Sequence, residues 1–282
     1  MNNQLKTFVL MTGLTVLFVV LGGVIAGDQG LYIAFFLAVA LNFAAYWFSD
    51  RLALTMTRSR PLKRSEAPEL YEMVERLSKE ANMPMPRLFI MPTDQPNAFA
   101  TGRNPNNGVV SVTQGLLNML NKDEIEGVLA HELAHIKNRD ILISSIAAVL
   151  AGALTIVARI GFWGNMMGGG RRREGGAAGA ILQLVAIILA PIAALLIRMA
   201  ISRSMEYHAD ATAAGITGKP ENLASALLSI QRGAQRRPYQ VNEAASHMFI
   251  INPLSGGKAT MANLFSTHPP VEDRVRRLRG RS

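Results

Sequence analysis

The sequence predicts an α+β membrane protein that is mainly helical and contains a small antiparallel sheet. Three observations predict this fold class: 49% of the 282 residues are hydrophobic, the mean hydropathy is positive, and the apolar residues gather into four blocks. A helix rises about 1.5 Å per residue, so each block is about long enough to cross a hydrocarbon core of roughly 30 Å. We therefore expect two to four transmembrane helices.

The four apolar blocks differ in charge. The first two carry no charged residue, whereas each of the other two carries one arginine. We expect residues 1–50 to form two transmembrane helices and residues 141–201 to form a hydrophobic helical hairpin. The blocks are Thr7 to Gly27, Leu31 to Trp47, Ile141 to Trp163 and Ala180 to Ile201.

The first block has the position of a secretory signal peptide, because it is N-terminal and follows Lys6. Its apolar stretch is longer than a usual signal core and a second block follows at once, which favours a membrane span. The chain has no cysteine, which excludes disulfides, thiolate nucleophiles and cysteine-ligated zinc. A protein whose non-membrane part stays in the cytoplasm is expected to lack disulfides.

The net charge of +9 indicates a lipid bilayer rather than a nucleic acid as the partner. The basic residues lie largely beside apolar blocks or near the C-terminus, and no nucleic-acid-binding motif accompanies them. The turn from Gly27 to Gly30 has no positive charge, whereas the segment from Arg51 is strongly basic. The positive-inside rule therefore places the N-terminus and the segment from about Arg51 in the cytoplasm.

Residues 51–140 are predicted to form a cytoplasmic catalytic region with a helix and several short strands. A helical apolar stripe follows Pro68, and Arg87 to Met91 has the composition of a strand. Asn97 to Thr101 and Val109 to Thr113 are two more extended runs, separated by a turn that ends in Asn-Gly. This pattern predicts a β-hairpin, and hence a small antiparallel sheet.

The next helix carries a metal-binding pattern, and Asn121 with Glu124 can cap its start. His131 and His135 are i and i+4, so their imidazoles project from one face and can supply two corners of a tetrahedral zinc site. Glu132 lies beside the first histidine and can act as a general base towards water activated by the metal. A helix that holds two histidines by chance is the alternative, but such a polar cluster is costly to bury.

A catalytic zinc requires a third protein ligand, and Glu206 and Asp210 are the carboxylates to consider. If the third and fourth apolar blocks form a hairpin, the chain returns to the face it left, and Glu206 comes close to the His131 helix. Because Glu206 and Asp210 are i and i+4, one carboxylate can bind the metal while the other supports the site. A solvated charge beside the membrane is the alternative role for Glu206.

Four motifs, in this order along the chain, resemble the HtpX family of bacterial membrane metalloproteases, which is related to the eukaryotic CaaX prenyl proteases. The resemblance covers essentially the whole chain, including the four apolar blocks. The motifs are Asn-Ala-Phe-Ala-Thr-Gly at 97–102, His-Glu-Leu-Ala-His-Ile-Lys-Asn-Arg-Asp at 131–140, Ser-Arg-Ser-Met-Glu-Tyr-His-Ala-Asp at 202–210 and Thr-His-Pro-Pro at 267–270.

The resemblance implies a zincin-like catalytic domain with one Zn²⁺ per chain. It implies that His131, His135 and Glu206 hold the metal and that Glu132 is the general base. It also implies a multi-pass endopeptidase of the cytoplasmic (inner) membrane of a bacterium, with its catalytic site facing the cytoplasm. Such an enzyme takes part in stress response and protein quality control, and its substrates are damaged or misassembled membrane proteins and unfolded polypeptides.

The same motifs contain residues that can support the reaction. Asp210 matches the aspartate of the family's Glu-x-x-x-Asp motif and can orient a ligating imidazole. Asp140 either does the same or caps the change from helix to membrane span, and the sequence favours neither. His268, held on a stiff loop by the prolines after it, is a candidate for stabilising the oxyanion.

Asn97, Ala98, Phe99 and Ala100 are candidates for binding the substrate as an added strand, because an edge strand can pair with any peptide backbone. Residues 202–282 are predicted to form a second cytoplasmic catalytic region, which supplies the third zinc ligand and a C-terminal helix.

Two other functions compete with proteolysis. In a zinc-stabilised membrane scaffold or chaperone, the metal only pins helices together, but structural sites usually fill four positions with protein ligands and leave no task for Glu132. A narrow prenyl-peptide processing enzyme would need more spans than four blocks supply, as the resemblance implies.

A crossing hairpin would place Arg171, Arg172 and Arg173 outside, against the positive-inside rule. The sequence predicts no particular oligomeric state.

Overall fold

The computed structural model describes residues 3–143, 203–236 and 269–280. The described helices are α1 (Asn3–Met56), α2 (Pro68–Glu80), α3 (Gln114–Met119), α4 (Lys122–Lys137), α5 (Arg203–Thr217), α6 (Pro220–Arg236) and α7 (Val271–Leu278). The described strands are β1 (Arg60–Pro61), β2 (Arg87–Met91), β3 (Ala98–Thr101) and β4 (Val109–Thr113), with a short 3-10 helix at Pro105–Asn107.

The chain divides into two compact units. One comprises Met1–Phe48 with Ile146–Ala200, and the other comprises Ser49–Ser145 with Ile201–Ser282. The first unit contains most of α1, and the second contains every other described helix and strand. The predicted hairpin at 141–201, with its arginine-rich loop, lies outside the described residues except at its first three positions.

Helix α1 folds back on itself at Gly27, whose φ of +58° is open to glycine because it has no side chain. The two halves are joined by Asn42, whose Nδ2 donates to the Met11 carbonyl at 3.1 Å and to Thr15 Oγ1 at 2.8 Å. At Gly22 an added Cβ would lie 2.4 Å from the Cβ of Ala34, so the halves approach too closely there for a side chain.

One described segment, Gly27–Met56, is long and apolar enough to cross a membrane, and Thr7–Val20 is a shorter apolar helix. The outward faces of both carry large apolar side chains, such as Phe8, Ile33 and Phe36, which are about two-thirds exposed. Apolar surface of this extent is typical of a lipid-facing or partner-facing helix. The number of spans stays a prediction.

The sheet is mixed, and the prediction of an antiparallel sheet was wrong in this respect. Its order is β1-β2-β4-β3, with β2 and β4 parallel and the two outer pairs antiparallel. The predicted hairpin of β3 with β4 is confirmed, with Phe99 opposite Ser111. The physical reason for the parallel pair is burial: every residue of β4 is buried, so this strand takes a central place between two neighbours.

Helix α4 lies at the centre of the second unit, packed against α5, α6 and β3. Its start is fixed by the predicted capping box of Asn121 and Glu124. The other carboxylate oxygen of Glu124 accepts from Ser225 at 2.7 Å and Ser229 at 2.8 Å on α6. At Gly127 an added Cβ would lie 2.4 Å from the backbone nitrogen of Leu223, so α4 and α6 touch backbone to backbone. These contacts hold α4 in a fixed position in the core.

Candidate metal centre

Three predicted ligands converge inside the second unit. The Nε2 atoms of His131 and His135 are 3.1 Å apart, and the Glu206 carboxylate oxygens lie 3.7 Å from the first and 3.6 Å from the second. A tetrahedral zinc site with bonds of about 2.0–2.1 Å places neighbouring donors roughly 3.3–3.5 Å apart. One donor atom from each of the two imidazoles and the carboxylate lies within 4.8 Å of the others, close to this spacing, and the donor chemistry is that of a zinc site.

Each histidine is oriented by a carboxylate on its other ring nitrogen. His131 Nδ1 lies 3.0 Å from Asp210 Oδ1, and His135 Nδ1 lies 3.2 Å from Asp140 Oδ2. A proton held on Nδ1 by a carboxylate leaves the Nε2 lone pair for a metal. Of the two roles left open for Asp140, the structure supports contact with an imidazole.

The position of Asp140 depends on the turn that ends α4. After the C-cap at Asn138, Arg139 adopts φ of +60°, and the Asp140 N–H then donates to the His135 carbonyl at 3.0 Å. Few residues other than glycine adopt this left-handed conformation. The turn brings the carboxylate back onto the helix it follows, and so beside the imidazole of His135.

The electrostatics of the site favour a bound cation. Burial alone would lower the pKa of His135. The hydrogen bond to Asp140 and the charges of Glu206 and Glu132 outweigh this effect and raise the pKa to about 9. These carboxylates attract either a proton or a metal ion to the imidazole, and metal binding releases the proton because both compete for Nε2. A site with this much buried negative charge is suited to a divalent cation.

Arg274 is a member of the site that the sequence analysis did not identify. It is fully buried, and its Nη2 and Nε donate to the two Asp210 oxygens at 2.7 and 2.9 Å. Burial raises the pKa of Asp210, but the charge and hydrogen bonds of Arg274 lower it more, to about 2. A signal was present: Arg274 shares the apolar face of α7 with Val271, Val275 and Leu278, where a charge needs a buried partner.

The structure describes two more of the predicted site features, Glu132 and the strand β3, but not His268. Glu132 is buried beside His131 on α4. β3 forms an edge of the sheet among the described strands, as its proposed role as a substrate partner requires. His268 lies outside the described residues, although Pro269 and Pro270 lead directly into α7.

The chain is similar to known peptidases. The model of peptidase family M48 matches residues 64–282. Proteins named "Protease HtpX homolog" are 53% identical over 277 residues in Pelotomaculum thermopropionicum, with 98% of each chain covered, and 54% identical over 278 residues in Thermococcus sibiricus, covering 98% of this chain and 94% of that one.

The crystal structure of S. mikatae Ste24p has a similar fold. The two structures align with a TM-score of 0.53 and 20% identity, over 98% of this chain and 64% of that chain. The family match over most of the chain, together with relatives more than 50% identical over its full length, shows that this chain is a metalloprotease of peptidase family M48.

Proposed function

We propose that this chain is a zinc-dependent endopeptidase of the cytoplasmic membrane that hydrolyses peptide bonds of damaged or misassembled membrane proteins. One observation carries the proposal. The donor atoms of His131, His135 and Glu206 converge at the spacing of a tetrahedral metal site, next to the buried carboxylate of Glu132.

In this proposal each residue has a defined task. Zn²⁺, when bound, supplies Lewis acidity that makes water nucleophilic near neutral pH and polarises a peptide carbonyl. Glu132 accepts the proton of the attacking water and returns it to the leaving amine. Asp210 and Asp140 keep the two imidazoles oriented, and His268 is assigned the stabilisation of the oxyanion.

The chain belongs to a metalloprotease family, and direct cleavage tests whether it acts as the proposed endopeptidase rather than as a zinc-stabilised scaffold. We expect the purified wild-type protein in detergent micelles to convert unfolded casein into fragments cut at internal peptide bonds, detected by mass spectrometry. The described donor cluster offers three protein ligands rather than the four of a structural site, which supports catalysis. Casein that stays intact beside a zinc-loaded protein would favour the scaffold.

The substrate is proposed to bind along β3 as one more strand. The Asn97 carbonyl accepts from the Thr113 N–H at 2.9 Å, so residue 97 faces β4. Because the backbone direction alternates along an antiparallel ladder, Phe99 also faces β4, whereas the N–H and C=O of Ala98 and Ala100 point away from it. Of the four predicted substrate-binding residues, these two alanines have the backbone groups suited to pairing with a peptide.

Replacing Ala100 by Pro is expected to raise the KM for peptide substrates, because proline removes the outward backbone donor. Zinc content and thermal stability should stay close to those of the wild type, since that donor has no partner in β4. Steady-state kinetics with a quenched fluorescent peptide, together with thermal melting, measure both effects.

Thr101→Pro is the matched control, because the same alternation turns the Thr101 N–H towards β4. It should lower the melting temperature by removing a bond within the sheet. Loss of fold or of zinc in Ala100→Pro itself would show that residue 100 donates inside the protein, and the substrate would then have to bind elsewhere.

Membrane orientation is proposed from the distribution of charge. Both halves of the candidate metal site, on α4 and α5, must share one compartment, and the basic segment after α1 supports the cytoplasm as that compartment. We expect reporters fused after Arg64 and after Asp210 both to be located in the cytoplasm. A fusion within Gly168 to Gly176 tests whether residues 141–201 cross. Opposite compartments for the first two fusions would contradict the site itself.

A further inference from the structure

Arg274 makes a bidentate contact with Asp210, and Asp210 also contacts a candidate metal ligand. One oxygen of Asp210 lies 2.7 Å from Arg274 Nη2 and 3.0 Å from His131 Nδ1, and the other accepts from Arg274 Nε at 2.9 Å. The planar guanidinium matches both carboxylate oxygens at once. This bidentate contact therefore fixes the rotation of the Asp210 carboxylate group, and with it the direction in which Oδ1 faces the imidazole.

The Arg274 guanidinium leaves Nε2 of His131 available to bind a metal. Its Nη2 lies 3.3 Å from His131 Nε2 and 3.5 Å from Nδ1, and such nearly equal distances mean that it is not aligned with the lone pair of either nitrogen. Its Nη1 lies 3.6 Å from Glu206 Oε2, beyond a direct hydrogen bond but close enough for attraction. Arg274 thus contacts Asp210 strongly and the two candidate ligands weakly.

Attachment of α7 to its neighbours does not depend on Arg274 alone. The Arg277 guanidinium stacks over the Tyr207 ring of α5 at 3.8 Å. Gln231 of α6 donates to Glu272 at 2.7 Å, and Arg279 donates to Glu221 at 2.9 Å. These contacts, together with the burial of Val271 and Val275, help to hold the helix independently of Arg274.

We propose that Arg274 is a positioning residue that acts through Asp210 to orient His131 and so sets the affinity of the site for zinc. This inference rests on the proposed zinc function. It assigns to the last described helix a part in forming the metal centre, although α7 itself supplies no candidate ligand.

The direct test is the zinc dissociation constant of the purified full chain, measured by competition with a chromophoric chelator. Arg274→Met should weaken zinc binding at least about 10-fold, the lower end of the effect of removing a residue that orients a ligand. Arg276→Met is the control, because Arg276 lies on the same helix and pairs at the surface with Asp273. It removes the same charge and should leave the constant unchanged.

A double variant separates positioning from general destabilisation. If Arg274 acts through Asp210, the variant with both Arg274→Met and Asp210→Asn should bind zinc about as weakly as Asp210→Asn alone. If the losses of zinc affinity in the two single variants multiply in the double variant, the two residues act independently, and the inference is overturned. The visible spectrum of the Co²⁺-loaded Arg274→Met protein should also differ from that of the wild type, because the imidazole is reoriented.

Arg274→Lys decides the question if the methionine variant does not fold. Lysine keeps the charge but cannot form the bidentate contact with Asp210, so zinc should still bind more weakly than in the wild type. Wild-type affinity in the lysine variant would overturn the inference while leaving the proposed function intact. A wild-type protein that binds no zinc would instead refute the proposed function.

Discussion

Replacing Glu132 by Gln is expected to lower casein cleavage by at least about 10²-fold, because a positioned general base contributes about that much or more. The variant should still hold about one zinc per chain, since the proposed ligands are unchanged and glutamine is close to glutamate in size. Fragment formation by gel and metal content by mass spectrometry are measured on the same preparation.

Asp123→Asn is the matched control for this change, because Asp123 is an exposed carboxylate in the first turn of the same helix. It should leave both cleavage and zinc content at wild-type values. Undiminished turnover in zinc-loaded Glu132→Gln would remove Glu132 from the reaction. The search for a base would then turn to another buried carboxylate.

Replacing Glu206 by Ala is expected to lower zinc affinity and activity together, because it removes one of three donors that lie within 4.8 Å of one another. Asp210→Asn and Asp140→Asn should weaken zinc binding less, on the order of 10- to 100-fold, since these residues only orient the imidazoles. Dissociation constants from chelator competition give the order of the three effects.

Glu69→Ala provides the comparison for a carboxylate outside the site, because Glu69 forms an exposed pair with Lys122 on the surface of the same unit. Its zinc affinity should match the wild type. If Glu206→Ala retains wild-type affinity, the third ligand is another residue, and Asp210 becomes the first candidate.

Local patterns predicted several elements of the fold correctly. The strand Arg87–Met91 has the predicted bounds, and the hairpin of β3 with β4 follows from two extended runs around an Asn-Gly turn. The capping box of Asn121 and Glu124 is also present. Each of these features depends on residues close together in the chain, whose propensities act before any tertiary contact forms.

The pairing of strands was not predictable in the same way. A strand pattern identifies extended residues but not their neighbours, and β2 could have paired with either strand of the hairpin. The parallel arrangement of β2 with β4 results from tertiary packing, which buries β4 completely. The turn at Arg139, which places Asp140 against His135, has no glycine to mark its positive φ.

Arg274 shows why part of the site could not be identified from motifs alone. It contacts Asp210 from 64 residues further along the chain, and four other arginines follow it near the C-terminus. The sequence therefore predicted a C-terminal helix with several basic residues but did not distinguish Arg274 from the others. Helical periodicity places this arginine on the apolar face of α7, whereas Arg276 is exposed. The periodicity of α7 is therefore the feature that distinguishes the buried cation from the surface ones.

The rate of casein cleavage as a function of zinc bound per chain tests the central claim most directly. Zinc is removed from the purified wild-type protein by a chelator and returned in steps, and the rate is measured at each step. We expect no cleavage by the metal-free protein and a linear rise that ends at one zinc per chain. Cleavage that persists without metal, or a fully zinc-loaded protein that does not cleave, would contradict a zinc-dependent protease built on His131, His135 and Glu206.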